Sequence, residues 1–152
     1  MKSLEIEIAL MEHLGVRQNT IVPNVSWSFL NYEADLVMLT GSGYATEIEI
    51  KVSKSDLKRD KEKRHYHDSD YFKYLYFAVP EKLTEFALTK IPERAGLYKV
   101  IDNGYRYFVE QVKSPILNKN HKKWSPKERL RFAELGCMRI LGLKKKLIEV
   151  KR

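Results

Sequence analysis

The sequence predicts an α/β fold with a mixed central β-sheet flanked by helices, and three observations lead there. Two hairpin signals, "TGSG" at 40–43 and Asn103-Gly104, each separate stretches of strand-like residues. "KYLYFAVP" at 73–80 is almost continuously apolar or aromatic, as a central strand covered on both faces requires. Strand-like and helix-like segments alternate unevenly, which suits a mixed sheet rather than a purely parallel one.

The elements follow in order. Ser3 is placed to cap a first helix running to about Leu14, and Gly15 closes it. "NTIVPNVSWSFL" reads as a β segment in which Pro23 argues for an edge or a bend; Trp27 shares a strand face with Val25 and Phe29 and is expected in the core. "EADLVML" and "YATEIEIKV" form the first hairpin, over 34–39 and 45–52. "SKSDLKRDKEKRHYH" is polar and helical over much of its length, with Ser53 or Ser55 as its cap. Tyr71, Phe72, Tyr74, Tyr76 and Phe77 lie at strand spacing and are read mainly as core, not as a base-stacking platform.

"EKLTEFALTKI" is a short amphipathic helix ending before Pro92, and "GLYKVIDNGYRYFVEQV" is the second hairpin. "WSPKERLRFAELGCMRIL" carries Ser125 at the cap, Pro126 in the first turn and Glu128 three residues after the serine, a capping box that fixes a helix start. Leu130, Ala133, Cys137, Ile140 and Leu141 are its expected buried stripe, while Trp124 suits core or surface equally.

A chain of 152 residues, 43% hydrophobic and 32% charged, can bury a real core as one domain. It divides by charge. Residues 1–112 hold 15 Lys/Arg against 17 Asp/Glu and form the expected core, whereas residues 113–152 hold 13 against 3 and form a basic helical extension packed on the same domain. No apolar run approaches the roughly 20 residues a bilayer demands, and "MKSLEIEIALMEHLG" carries acids throughout, so a cytoplasmic protein with no membrane partner is expected. Cys137 is the only cysteine, which excludes an internal disulfide or a cysteine-based zinc site; it is expected to be a small core residue.

The stretch "ATEIEIK" raises the chemical question. Side chains two apart on a strand share a face, so Glu47, Glu49 and Lys51 oppose Ile48 and Ile50. An ordinary half-solvated strand is the bland reading. A hairpin turning at Ser42, however, pairs Asp35 with Glu49 at a Cβ separation of about 4.5 to 5.5 Å, where two carboxylates share one divalent cation. Oxygen-only ligands favour Mg²⁺ or Mn²⁺ over zinc. Such an ion polarises a phosphoryl oxygen and activates water, and a lysine can orient that water or neutralise charge in the transition state.

Asp35 with Glu49, Ile50 and Lys51 resembles the PD-(D/E)xK nuclease superfamily. The naming proline is absent, since Ala34 precedes the aspartate, at a position variable in that superfamily. "EIKVSKSDLKRD", "YLYFAVP" and "IPERAGLYKV" are similar in order and spacing to MmcB-like DNA repair proteins and related small phage-type proteins, over about residues 1–112. The resemblance implies a restriction-endonuclease-like core, metal ligation by Asp35 and Glu49, Lys51 beside the attacking water, and a further acid from the first helix. Glu7 is favoured over Glu5 for that acid because it lies among Leu10, Met11 and Leu14 on the apolar face. An exposed helix acid is the alternative for either.

Other polar residues point toward nucleic acid. Lys54, Lys58, Lys63 and Arg64 in the polar helix, and Lys122, Lys123, Lys144, Lys145 and Lys146 in the basic extension, are candidate phosphate contacts. Asp56 and Asp60, interleaved with Lys54, Lys58, Arg59, Lys61, Lys63 and Arg64, are expected on a solvated face. Glu47 is expected either behind the site or in a salt bridge. His65 and His67 are two apart and point to different sides of a helix, so phosphate contact or hydrogen bonding is expected of them rather than zinc ligation.

The expected activity is metal-dependent hydrolysis of DNA phosphodiester bonds, in a repair or phage-related setting. RNA is the alternative polyanion. A homodimer would reach both strands of a duplex, although no interface is legible in the sequence. The competing expectation is a binding module that keeps the nuclease fold, recruits nucleic acid or a repair partner, and does no chemistry.

Overall fold

A computed structural model describes residues 1–26, 32–60 and 69–152. Trp27, Phe29, Lys61, Lys63, Arg64, His65 and His67, for which expectations were set above, lie outside the described residues. The elements run α1 (Ser3–Leu14), β1 (Thr20–Val25), β2 (Ala34–Leu39), β3 (Ala45–Ile50), α2 (Lys54–Asp60), β4 (Phe72–Pro80), a 3₁₀ turn (Glu81–Leu83), α3 (Thr84–Leu88), β5 (Gly96–Asp102), β6 (Tyr107–Lys113) and α4 (Pro126–Lys151).

The six strands form one sheet in sequence order. β1 with β2, β2 with β3 and β5 with β6 are antiparallel, while β4 runs parallel to both β3 and β5. The sheet is therefore mixed, with its parallel strands at the centre, as the apolar run of β4 requires. Tight turns make the two hairpins: Gly43 and Gly104 hold φ of 93° and 87°, a left-handed backbone that a side chain would strain. Pro23 sits on β1, an edge strand, where its missing N–H costs no ladder bond.

Helices cover both faces. On one, α1 buries Ile6, Ala9 and Leu10 against Leu36, Ile48, Ala78 and Val100. On the other, Leu57 of α2 and Ala87 of α3 meet Leu75, Phe77, Val79 and Leu97. Farther along that second face, Trp124 with Phe132 and Leu135 of α4 packs on Val22, Val37, Leu39 and Phe72.

The chain does not break at 112. That position falls inside β6, and the segment after it is stitched back to the sheet by Asn118 N–H to the Lys73 carbonyl (3.0 Å), Lys122 N–H to Asp70 (2.9 Å) and Trp124 N–H to Gly43 (2.8 Å). Trp124 is core: it is 2% exposed, and its indole N–H donates to the Tyr71 carbonyl at 2.7 Å. Among the aromatics of β4, Phe72 and Phe77 are buried, whereas Tyr74 and Tyr76 are half-buried and Tyr76 stacks on Tyr98 at 4.3 Å.

Three local expectations change. The first helix is capped at Lys2, not Ser3, because the Glu5 carboxylate reaches back to accept the Lys2 N–H at 2.6 Å. The segment after β4 winds as a 3₁₀ turn and a five-residue helix, so it stops at Leu88, short of Ile91. The α4 stripe is the largest correction. Leu130, Ile140 and Leu141 are 61%, 54% and 59% exposed, and Ala133 and Cys137 are exposed as well. Phe132 and Leu135 do the packing instead. The helix offers two apolar stripes, and the one carrying the large aromatic ring fills the space beside Trp124, at 5.2 Å between rings.

Candidate functional site

β2 and β3 converge as a two-residue periodicity demands, with Leu39 opposite Ala45, Val37 opposite Glu47 and Leu36 opposite Ile48. Asp35 and Glu49 come next in this register, but the strands part before reaching them. Asn24 at φ 53° kinks the neighbouring β1, and Ala34 joins the same face cluster as Val37, so alternation fails around Asp35. Asp35 Oδ2 accepts the Ile50 N–H at 2.8 Å, a side chain standing where the next ladder acceptor would be. The flat cross-strand pairing of Asp35 with Glu49 is thus replaced by a split strand end, with Asp35 turned into a cleft.

That cleft has a volume of about 430 Å³ and is lined by Glu7, Asp35, Lys51, Asp56, Arg59 and Asp60, among others. Glu7 is half-buried; its burial, and then the charge of Asp35, push its carboxyl above the ordinary range. Glu5 is elsewhere, holding the Lys2 N–H, which keeps its own carboxyl low. Of the two helix acids considered, Glu7 is the one that shares the cleft with Asp35.

Glu49 and Glu47 point to the other side of β3, both buried, at 4% and 0% exposure. Glu47 accepts the Tyr32 hydroxyl at 2.8 Å, and burial, followed by this carboxylate, drives that phenol far above its usual pKa. Glu47 is therefore hydrogen-bonded, not exposed on a half-solvated strand.

Lys51 joins the two sides. Its ammonium lies 3.4 Å from Glu49 Oε2 and 3.2 Å from Asp60 Oδ1, with 14% of the side chain exposed. Burial favours the neutral amine, but Glu49, Asp60 and Asp35 together outweigh it and hold the ammonium above its ordinary range. A group so held donates hydrogen bonds and supplies positive charge; it does not accept a proton at neutral pH.

Asp60 was expected in solvent and is instead 5% exposed. The signal was present, because Asp60 lies one helical turn after Leu57, which is buried on the same α2 face. Asp56, by contrast, is half-buried at the helix start, where its N–H donates to Ser53 Oγ at 3.1 Å and its carboxylate pairs with Arg59. Ser53, not Ser55, is the cap.

The other candidates are spread over the surface. Lys54 and Lys58 are exposed, with their ammonium groups 5.3 and 6.0 Å from the Phe86 ring centroid. Lys122 sits 4.0 Å over Tyr71, Lys123 is exposed beside Gly43, and Lys144, Lys145 and Lys146 are exposed on the far half of α4. Among the described residues no three His, Cys, Asp or Glu side chains are gathered as a metal-holding group. None of the described helices is long and apolar enough to cross a membrane.

The fold and cleft define an α/β protein built on a six-stranded mixed sheet, with an acidic, lysine-bridged cleft at one strand end. No family model and no curated protein matches the chain. Its fold is similar to that of a protein of unknown function from Silicibacter pomeroyi, with a TM-score of 0.65 at 18% identity, covering 99% of this chain and 94% of that one. The likeness includes the basic carboxy-terminal region as well as the sheet.

Proposed function

We propose that the protein is a metal-dependent nuclease of the PD-(D/E)xK type, with a restriction-endonuclease-like core, hydrolysing DNA phosphodiester bonds. The observation that carries this reading is the buried ammonium of Lys51 held between Glu49 and Asp60, at the strand end where Asp35 and Glu7 face a polar cleft. The donor set fits a hard cation: burial and then the neighbouring Asp35 disfavour the charge of Glu7, and an ion between the two carboxylates would relieve that cost. Asp35 and Glu7 would hold Mg²⁺ or Mn²⁺, which would polarise a phosphoryl oxygen and lower the pKa of a water, while Glu49, on the other side of β3, would hold the Lys51 ammonium in place.

The chain's own groups do the rest. Lys51 donates toward the attacking water or the developing charge on phosphorus oxygens. Asp60 retains that ammonium at the cleft wall. Glu47 and Tyr32 brace β3 from behind. Lys54, Lys58, Lys122, Lys123 and the three lysines at 144–146 supply phosphate contacts on exposed surfaces. The test is cleavage of single-stranded, duplex and branched DNA with Mg²⁺ or Mn²⁺. Wild type should cut and Lys51→Ala should lose at least about a hundredfold in rate, within the range known for removing one electrostatic stabiliser; equal rates would sink the mechanism.

The second reading, a binding module without chemistry, is favoured by one observation: no three-ligand group is assembled among the described residues. Calorimetric titration with Mn²⁺ separates the two, because the binding module has no use for the ion.

A further inference from the structure

α4 carries an apolar stripe that none of the described residues covers. Leu130, Ala133, Cys137, Ile140, Lys144 and Leu147 repeat at alternating intervals of three and four, the seven-residue period of a two-helix seam. Leu130, Ile140 and Leu147 are 61%, 54% and 61% exposed, and the other three are exposed too. On the helix the stripe is turned roughly a third of a revolution from Phe132 and Leu135, which hold α4 to the sheet.

We propose that this stripe is the seam of an antiparallel homodimer, in which α4 pairs with α4 of a second copy about a twofold axis between Met138 and Arg139. Self-complementarity and charge both select that partner and that direction. Antiparallel pairing sets Leu130 against Leu147 of the second copy and Cys137 against its Ile140. Lys144 then meets Ala133, whose small side chain leaves the lysine stem room to reach solvent. The same arrangement brings Glu134 alongside the 143–145 stretch of the second copy, so its carboxylate lies near basic side chains.

Parallel pairing would stack Lys144 on Lys144 and align the two lysine runs. Antiparallel pairing separates those runs by about 20 Å at 1.5 Å per residue, more than twice the roughly 8 Å screening length at physiological salt. A single lysine in an otherwise apolar seam is a known device for fixing register. Twofold symmetry makes the contact closed, so it ends at two copies.

The test uses the full chain. Sedimentation equilibrium at tens of micromolar should report twice the chain mass. Ile140→Asp with Leu147→Asp should raise the dimer dissociation constant at least about a hundredfold, tenfold for each substituted position. Both sites are exposed in the single chain, so circular dichroism of the variant should match wild type. For direction, Leu130→Cys and Leu147→Cys are each made in a Cys137→Ser background and oxidised. Cross-linking on mixing, with neither variant linking to itself, supports the antiparallel seam. A wild-type monomer overturns the proposal, whether or not it binds DNA through this face, and so does self-linking of each variant. None of these readouts depends on nuclease activity.

Discussion

β3 and the outer face of α4 invert the ordinary rule in opposite directions. β3 buries Glu47 and Glu49 at 0% and 4% exposure, while α4 leaves Leu130, Leu141 and Leu147 about 60% exposed. Charge inside and apolar surface outside are the two departures from normal burial that carry information. In β3 the cost of buried charge is offset by the Lys51 ammonium, placed where the strand end opens into a cleft, and by the Tyr32 hydroxyl that donates to Glu47. On α4 nothing among the described residues covers the exposed stripe. The proposed nuclease site would use the first inversion, and the proposed dimer seam would cover the second.

The contrast can be broken within α4 itself. Phe132→Ala, at the packed half, should cost about 4 kcal/mol, because it opens a cavity beside Trp124. Leu147→Ala, measured on dilute chain by urea unfolding, should stay within about 0.5 kcal/mol, as surface changes do. Equal costs would mean that the far half of α4 is packed after all.

Lys51→Ala sharpens the other side of the comparison. It takes the cation from beside two buried carboxylates and should cost about 3 kcal/mol at neutral pH. Adding Asp60→Asn to that variant should recover part of the loss. A Lys51→Ala protein as stable as wild type would mean that the buried acids of β3 have no need of this ammonium.

The smallest effect concerns the α4 start. Ser125→Ala should cost about 1 kcal/mol by removing the hydroxyl that accepts the Glu128 N–H. Glu128 titrates with that cap. Burial opposes its charge, but the Ser125 N–H, the serine hydroxyl and Lys122 outweigh burial and keep the carboxyl below its usual range. Because the folded-state pKa is depressed, this stabilisation is present above the ordinary carboxylate pKa and is lost as pH falls through the lowered value. Urea unfolding of Glu128→Gln should therefore show a deficit at neutral pH that vanishes in acid.

Features set by local chemistry were legible in the sequence: the turns at Gly43 and Gly104, the Ser125 box with Pro126, the apolar run of β4, and the β2–β3 register. What the sequence obscured were choices between equivalent local options. Both stripes of α4 have helical period, and only the shape beside Trp124 selects Phe132 and Leu135. Asp60 sits in a polar run that looks solvated, and only its place one turn after the buried Leu57 hints that it turns inward, where it meets Lys51. The strand split at Asp35 depends on the kink at Asn24 in β1, which no pairing rule within the hairpin contains.

Asp35 and Glu7 line a common cleft, and thermal unfolding with added Mn²⁺ tests directly the proposal that they hold a cation there. Saturating the site at about 100 times the dissociation constant should stabilise wild type by about 2.7 kcal/mol, with Asp35→Asn losing that gain while remaining folded. An unfolding midpoint that ignores Mn²⁺, or one that rises equally in both proteins, would contradict the account.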